Sequence, residues 1–343
     1  MHEPLIEKLK SAVSKWQGKR VLILGDMILD EFIFGRTQRV SREAPVVVVR
    51  YDGSSYSPGG AANAAQNVDA LGGRADPIGL IGLDDTSLHL KRIFHAKGLP
   101  VRGLISSSER CTTSKTRVMA GDYHAQRQQI VRIDREQDVP ISLKLQERVL
   151  SLFESRLKRA DAVILSDYQQ GLFTEKVVNE SINMCRRSGI PVVADSRFRL
   201  GEFKGVTTAT PNEVEAAAAA GFSLTGDRAL ERIARKLLRS LSASSLLVTR
   251  GRFGMCLFEP RRRVRSVEVV GSSEATDVTG AGDTVVSAVA LTLAAGESMY
   301  TAMHIANMAA SIVVMKRGTA VVKKVEVLEL ISKSQQPGRC STD

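Results

Sequence analysis

A glycine-rich run near the C-terminal end of the chain carries the residue types best suited to chemistry. Residues 277–284 read Asp-Val-Thr-Gly-Ala-Gly-Asp-Thr and lead into an apolar stretch that is typical of a buried helix. Free backbone N–H groups at a helix start, with the positive end of the helix dipole, favour a phosphate or a developing oxyanion. Glycines let a ligand approach the backbone, and Asp283 would lie where a base is needed. The run predicts either a phosphoryl-transfer site in which Asp283 removes a hydroxyl proton or an ordinary capped helix.

Four further patterns precede this run in a fixed order. They are Asp26 and Asp30 after the first strand, residues 57–65 (Ser-Pro-Gly-Gly-Ala-Ala-Asn-Ala-Ala), Asn212 and Glu215 in an Asn-x-x-Glu pattern, and Thr249-Arg250-Gly251 with Gly254. Each pattern alone is weak. Together with the glycine-rich run, they resemble the ribokinase (PfkB) family of sugar kinases over residues 19–330.

This resemblance implies an α/β fold of the ribokinase type, in which a central, mostly parallel sheet is flanked by helices and carries a small β lid. Residues 1–330 would form a single kinase domain, with lid segments at 31–54 and 101–134 and a disordered tail at 334–343. The family uses ATP and Mg²⁺ as cofactors, and a potassium ion is a further expectation. A lid sheet too small to be stable alone predicts a homodimer in which two lids pair.

The resemblance also implies a role for each matching position. Asp283 would be the catalytic base, and the backbone N–H groups that follow Gly280 would form an anion hole at Ala281, Gly282 and Asp283. The expected sugar-binding residues are Asp30, Gly59, Gly60 and Asn63. The expected nucleotide-binding residues are Asn212, Glu215, Thr249, Arg250, Gly251, Gly254 and Asn307.

Two of the expected roles concern metal ions. Glu215 would hold Mg²⁺ through water, because this ion keeps several of its water ligands when it binds proteins. Asp277 and the loop around Gly318 would hold the monovalent cation.

Within the family, the likeness is closest to the kinases that phosphorylate a heptose 7-phosphate on its anomeric hydroxyl. It lies in residues 25–35, 40–46, 115–118, 128–134 and 166–168. Two positions depart from those kinases. Gln170 stands where they have lysine, and Asp195-Ser196-Arg197 stands where they have Asp-Pro-Lys.

Arg197 is the expected substitute for the missing lysines, because a planar guanidinium can hold two phosphate oxygens at once. Lys115, Arg117 and Arg127 from the lid would close the other side of the distal phosphate, and Asp195 would belong to the same substrate-binding group. The sequence therefore predicts that Arg197→Ala raises the KM for a phosphorylated sugar and leaves the KM for ATP nearly unchanged.

The rest of the chain supplies the elements that would position these residues. Residues 19–25 read as a buried first strand that ends at a site. Segments rich in β-forming residues at 31–51, 101–105, 116–119 and 129–133 would build the lid. From about residue 143 onward, apolar helical faces alternate with short apolar strands. This alternation predicts a parallel, right-handed βαβ sheet.

Composition limits the class of protein. The chain has 343 residues, of which 43% are hydrophobic, which suffices for a sizeable core. It has no apolar run of about 20 residues and no signal-peptide core, so a cytoplasmic protein without a membrane partner is expected. The net charge of +11 is densest at residues 261–265, which read as a solvated hairpin edge. No nucleic-acid motif is present and no nucleic-acid partner is expected, and the four scattered cysteines predict free thiols.

Several enzyme classes lack their signatures in this sequence: P-loop kinases, dinucleotide dehydrogenases, zincins and α/β-hydrolases. The chain also lacks the His-x-Gly-His motif of the nucleotidyltransferase that is fused to some heptose kinases, so a kinase alone is expected. Two alternatives stay open. One is a kinase for ribose, fructose or a deoxy-gluconate, and the other is a catalytically silent ligand-binding protein on the same fold.

Overall fold

The structure is a computed structural model that describes residues 3–121, 127–226, 228–270, 275–316 and 318–334. Its helices are α1 Glu3–Ser14, α2 Ala61–Ala70, α3 Asp85–Ala96, α4 Leu143–Leu157, α5 Glu175–Ser188, α6 Glu213–Ala220, α7 Ala229–Leu241, α8 Ala281–Ala294, α9 Met299–Val313 and α10 Lys324–Lys333. Its strands are β1 Arg20–Gly25, β2 Met27–Val40, β3 Val47–Gly60, β4 Arg74–Ile81, β5 Leu104–Ser106, β6 Thr113–Gly121, β7 Gln128–Arg135, β8 Ala162–Asp167, β9 Val192–Ser196, β10 Thr208–Ala209, β11 Ser245–Thr249, β12 Met255–Phe258 and β13 Arg265–Val267.

The strands of the described chain form two sheets. The central sheet has nine strands in the order β13-β12-β11-β10-β9-β8-β1-β4-β5. Its strands are parallel except for β12 and β13, which join one edge in antiparallel fashion. The lid sheet has four strands in the order β3-β2-β6-β7. The predicted α/β architecture with a separate small β lid is therefore confirmed.

Helices cover both faces of the central sheet. Along β1, Val21 and Ile23 pack with α1, α2, α8, α9 and α10, whereas Leu22 and Leu24 pack with α4, α5, α6 and α7. A strand buried on both faces reads as a continuous apolar run because neither face meets water. That is why the sequence pattern identified β1 correctly.

One lid assignment was wrong. The segment 101–134 was expected to belong entirely to the lid, but β5 pairs in parallel with β4 at the edge of the central sheet. Short runs of β-forming residues do not reveal which sheet they join. The lid strands themselves are longer than expected, because β2 begins at Met27 and β3 ends at Gly60.

Three further expectations concern the chain ends and surface. Cys111, Cys185 and Cys256 are free thiols, as predicted, while Cys340 and all of the expected tail at 334–343 except Ser334 lie outside the described residues. No helix in the described part of the chain is long and apolar enough to cross a membrane. The basic cluster at 261–265 forms the exposed turn between β12 and β13 and the start of β13.

Candidate active site

The carboxyl ends of the parallel strands carry the predicted functional residues. Asp26 follows β1, Tyr168 follows β8, and Arg197 follows β9. In open α/β sheets, ligands bind at this edge because the loops that leave the strands diverge there. The helix α8 starts at the same edge, so its N-terminal turn meets the strand ends.

Asp283 is the centre of a buried hydrogen-bond network. Its side chain lies in the first turn of α8 and is only 4% exposed. Asn63 Nδ2 donates to Asp283 Oδ2 at 2.6 Å, and Tyr168 Oη donates to Asp283 Oδ1 at 3.1 Å. Both carboxylate oxygens are thus held, which fixes the plane of the carboxylate.

Burial raises the pKa of Asp283 from 3.8 to about 7. The hydrogen bonds from Asn63 and Tyr168 and the charge of Lys115 lower this pKa, while the charge of Asp30 raises it further. A carboxyl group with a pKa near the working pH is suited to general base catalysis, because it is ionised in part and still binds a proton.

Gly280 is required at the start of α8 by its conformation and its surroundings. Its φ of +77° lies in the left-handed region, and a Cβ there would come within 2.6 Å of Asn63 Nδ2. The anion hole is smaller than the sequence suggested, because the N–H of Ala281 donates to the carbonyl of Val278. In the described chain, the N–H groups of Gly282 and Asp283 have no acceptor and stay available to an anion.

The residues expected to bind the sugar lie at the ends of β2 and β3 that are next to the central sheet. Asp30 is 5% exposed and receives a hydrogen bond of 2.6 Å from Arg117 Nη1, which forms an ion pair. Gly59 faces Asp30, and a Cβ at Gly59 would come within 2.6 Å of Asp30 Oδ2. Gly60 ends β3 directly before α2.

Asn63 is not exposed, and both polar atoms of its side chain are hydrogen-bonded within the protein. Besides donating to Asp283, its Oδ1 accepts hydrogen bonds from Gln66 Nε2 at 2.5 Å and Asn67 Nδ2 at 3.1 Å. The expected contact of Asn63 with sugar hydroxyls therefore stays a prediction. The contact that the structure provides is with the carboxylate of Asp283.

The lid cations divide into two groups. Lys115 Nζ lies 5.7 Å from the centre of the Tyr168 ring and therefore beside Asp283. Arg127 instead pairs with Asp52 at 3.2 Å and stacks over Phe34. On β3, Asp52 is five residues before Ser57, the β-sheet partner of Asp30, which is about 16 Å along the strand. These contacts of Arg127 do not support its expected role at the distal phosphate, which stays a prediction.

A cavity of about 560 Å³, which we name the nucleotide cavity for the ligand expected there, is lined by Ala281 and Gly282 at the start of α8. This volume lies in the range of small-molecule sites. Thr210 lines the cavity, and its buried Oγ1 has no hydrogen-bond partner among the described residues, which suits a wall that receives a polar ligand. The lining includes most of the expected nucleotide residues, namely Asn212, Glu215, Thr249, Gly251, Gly254 and Asn307.

Arg250 does not line this cavity. Its Nε donates to Glu213 Oε1 at 2.9 Å, and its guanidinium lies over the ring of Phe253. The expected contact of Arg250 with the nucleotide is therefore not provided by its position. Arg252, two residues further along, lines the cavity instead.

Asn212 and Glu215 form a capping box at the start of α6. Glu215 N donates to Asn212 Oδ1, and Asn212 N donates to Glu215 Oε2, both at 2.9 Å. Glu215 also lines the cavity, where a hydrated cation could reach its carboxylate. Burial raises the pKa of Glu215, which means that a nearby cation would stabilise its charged form.

Direct metal ligation is not built into the described part of the chain. No three His, Cys, Asp or Glu side chains come together there as a metal site. Burial raises the pKa of Asp195 well above its usual value, and the charges of Asp283 and Glu215 raise it further. The donor set therefore fits a hydrated Mg²⁺ rather than a dehydrated ion.

Arg197 lies in the nucleotide cavity, beside Asp195. Its charge lowers the pKa of Glu215 and also that of Lys115. Arg197 therefore lies between the nucleotide cavity and the lid. The prediction that Arg197→Ala leaves the KM for ATP unchanged requires Arg197 to lie away from ATP, and this location does not support it. Gln170, which stands where the heptose kinases have lysine, is buried and hydrogen-bonded to the side chains of Thr113 and Glu136.

Asp277 joins two loops near the start of α8. Its Oδ1 accepts the N–H of Thr279 and its Oδ2 accepts the N–H of Gly318, each at 2.9 Å. These bonds help to lower the pKa of Asp277, so it is ionised at neutral pH. The proposed cation role of this carboxylate stays a prediction.

Sequence reasoning missed three contributors to the site: Tyr168, Thr210 and Arg252. Tyr168 entered the sequence-based expectations only within residues 166–168, without a role of its own. It directly follows a buried strand, however, and ligands in α/β sheets bind at the carboxyl ends of such strands. Thr210 and Arg252 carry no motif of their own. Their role follows from the cavity alone.

The site combines a buried carboxylate at a helix start, a cavity beside it and a separate small sheet, an arrangement that suits a small-molecule kinase. A family model described as "pfkB family carbohydrate kinase" matches residues 19–325. The chain therefore belongs to the pfkB family of carbohydrate kinases.

The chain is also similar to curated relatives named "Bifunctional protein HldE". It is 38% identical over 323 residues to the protein from Geotalea uraniireducens (strain Rf4), covering 94% of this chain and 65% of the relative. The protein from Gluconobacter oxydans (strain 621H) is 39% identical over 322 residues, with 93% and 66% covered. The chain thus spans about two thirds of the length of these relatives.

Solved structures show the same fold at low sequence identity. Arabidopsis thaliana ribokinase complexed with ribose and ATP has a TM-score of 0.71 and 18% identity, over 92% of this chain and 99% of that one. Escherichia coli phosphofructokinase-2 in complex with fructose-6-phosphate has a TM-score of 0.74 and 17% identity, over 93% and 100%.

Proposed function

We propose that this kinase transfers the γ-phosphoryl group of ATP to the anomeric hydroxyl of a heptose 7-phosphate and so forms the heptose 1,7-bisphosphate. The observation that carries the kinase chemistry is Asp283, buried at the start of α8 between the lid and the nucleotide cavity. The subfamily likeness of the sequence and the similarity to the HldE proteins support the heptose phosphate as the acceptor.

In this proposal, Asp283 accepts the proton of the sugar hydroxyl as that oxygen attacks the γ-phosphorus. The breaking bond joins the γ-phosphorus to its bridging oxygen, and ADP leaves with the electron pair. The N–H groups of Gly282 and Asp283 stabilise the negative charge on the phosphoryl oxygens. Bound Mg²⁺, held through water by Glu215, would neutralise charge on the nucleotide phosphates.

The lid side of the site favours a phosphorylated acceptor. Lys115 is half-buried, has no ion-pair partner within the described chain, and lies beside Asp283 and Tyr168. Burial lowers the pKa of Lys115, so an anion that binds next to it would stabilise its charged form. Arg117 is already paired with Asp30 and is the less available cation.

Three further features are proposed for the working enzyme. It would work in the cytoplasm, where ATP is present. A homodimer would pair two lids through their exposed apolar residues. Potassium near Asp277 would support the loop that leads into α8, and equal activity in potassium and in a bulky organic cation would contradict that site.

The substrate is tested by measuring ADP release across a panel of sugars and sugar phosphates. We expect the highest kcat/KM with a heptose 7-phosphate and much lower values with ribose, fructose and a deoxy-gluconate. A preference for an unphosphorylated sugar would contradict the heptose phosphate assignment while leaving the sugar-kinase class intact.

The base is tested by Asp283→Asn. We expect kcat to fall by about a thousandfold or more while nucleotide binding persists, because the acceptor proton then has no carboxylate to receive it. Asp69→Asn, on the exposed surface of α2, is the matched control and should retain wild-type turnover. Near wild-type turnover of Asp283→Asn would show that another group is the base.

A further inference from the structure

Tyr168 makes a contact that the family motifs do not explain. It follows β8 directly, lines the cavity, and donates its hydroxyl hydrogen to Asp283 Oδ1 at 3.1 Å. We propose that Tyr168 is a positioning residue that holds the carboxylate of Asp283 in its reactive orientation and favours its charged form. This inference rests on the proposed role of Asp283 as the base.

The turn that carries Tyr168 is built to hold it in place. Asp26 Oδ2 accepts the N–H groups of Tyr168 at 2.8 Å and Gln170 at 3.2 Å. Between them, Gln169 has a φ of +61°, a left-handed conformation that is uncommon for a residue other than glycine. Such strained backbone persists only where its surroundings determine it, and it concentrates at functional sites.

Asp26 connects the turn that carries Tyr168 to the central sheet. Asp26 follows β1, and β1 pairs in parallel with β8, whose end leads into Tyr168. The carboxylate of Asp26 is 4% exposed and also tethers the start of the turn to the sheet. The position of the Tyr168 hydroxyl is therefore set by two adjacent strands rather than by a free loop.

The hydroxyl acts as a donor and cannot itself be the base. Burial, together with the charge of Asp283, raises the pKa of Tyr168 well above its usual value, so it remains a phenol near neutral pH. A hydrogen bond to the charged form of a carboxyl group stabilises that form. Removing the hydroxyl should thus raise the pKa of Asp283 above about 7.

The other groups that face Asp283 do not replace this hydrogen bond. Asp30 on β2 opposes ionisation of Asp283, whereas Lys115 on β6 favours it. The pKa of Asp195, which precedes Ser196 at the end of β9, is raised first by burial and then by the charge of Asp283. Asn63 on α2 holds the second oxygen, Oδ2. In Tyr168→Phe all four stay, and only the bond to Oδ1 is lost.

The experiment compares the wild type with Tyr168→Phe by measuring kcat/KM from about pH 5.5 to about pH 9.5. If the pKa of Asp283 rises by about one unit, kcat/KM falls about fivefold at pH 7 and about tenfold at pH 6, and lies within about twofold of wild type at pH 9. Tyr300→Phe, which alters a tyrosine on α9 that does not contact Asp283, should leave the profile unchanged. An equal loss at every pH, or no loss, would overturn the inference.

The double variant Asp283→Asn/Tyr168→Phe separates this inference from the proposed function. If Tyr168 acts through Asp283, the double variant should be no slower than Asp283→Asn alone, because the cycle removes a shared interaction. A further loss in the double variant would mean that Tyr168 acts on the substrate directly. Near wild-type turnover of Asp283→Asn would instead refute the base assignment itself.

Discussion

The two sheets of this molecule differ in how deeply their strands are buried. Every residue of β8 in the central sheet is buried, whereas all but one of the residues of β7 in the lid sheet are exposed. The central sheet buries both faces under helices, so it can hold a strained turn and a buried carboxylate. The lid has no such cover and presents apolar side chains at the surface, namely Val40, Val47, Tyr51, Ile130, Val131 and Ile133.

This difference explains how the site is divided. The central sheet supplies Asp26, Tyr168 and the start of α8, which hold the carboxylate of Asp283 in place. The lid supplies Asp30, Lys115 and Arg117, which would face the acceptor in the proposed reaction. The proposed base is thus held by the sheet that is covered on both faces, and the proposed acceptor contacts come from the more exposed sheet.

The largest expected effect concerns how much a buried side chain near the central sheet and an exposed side chain of the lid each contribute to stability. Phe153→Ala removes a fully buried ring between α4 and the central sheet and should lower the free energy of unfolding by about 3 to 5 kcal/mol. Ile133→Ala in the lid removes a side chain that is 51% exposed and should change it by about 0.5 kcal/mol or less. Urea unfolding of both variants gives the two values, and similar losses would contradict the comparison.

The next effect concerns which residues bind the nucleotide and which bind the acceptor. Lys115→Ala in the lid should raise the KM for the sugar phosphate about tenfold and leave the KM for ATP unchanged. From its place in the cavity, Arg197→Ala should raise the KM for ATP. The sequence alone predicted a rise in the KM for the sugar phosphate only. Steady-state kinetics with each substrate varied in turn decides between these two predictions for Arg197.

The smallest effect concerns the exposed face of the lid. The wild type should be a dimer in solution, and Val131→Lys should reduce the mass about twofold to that of the 37.2 kDa chain, because a charge would enter the apolar contact. Val139→Lys, at an exposed valine outside the lid, is the control and should remain a dimer. Light scattering at micromolar concentrations measures both. A monomeric wild type would refute the lid pairing.

Much of the fold was predictable because local patterns determined it. The apolar run of β1, the glycines before α8 and the Asn-x-x-Glu pattern each specify a backbone conformation through their own residues. The capping box at Asn212 and Glu215 is such a case, since both partners lie within one helical turn. Strand β5 was misassigned because three residues cannot specify a partner strand.

The sequence by itself determined that a glycine turn, a helix start and Asp283 meet at the ends of parallel strands. Only the tertiary structure decided which groups contact that carboxylate. Tyr168 is 115 residues from Asp283 along the chain and Asn63 is 220 residues away, yet each donates a hydrogen bond to it. In the same way, Arg250 forms an ion pair with Glu213, and Arg252 rather than Arg250 lines the cavity. Such contacts depend on how distant elements pack, and no local pattern of residues encodes that packing.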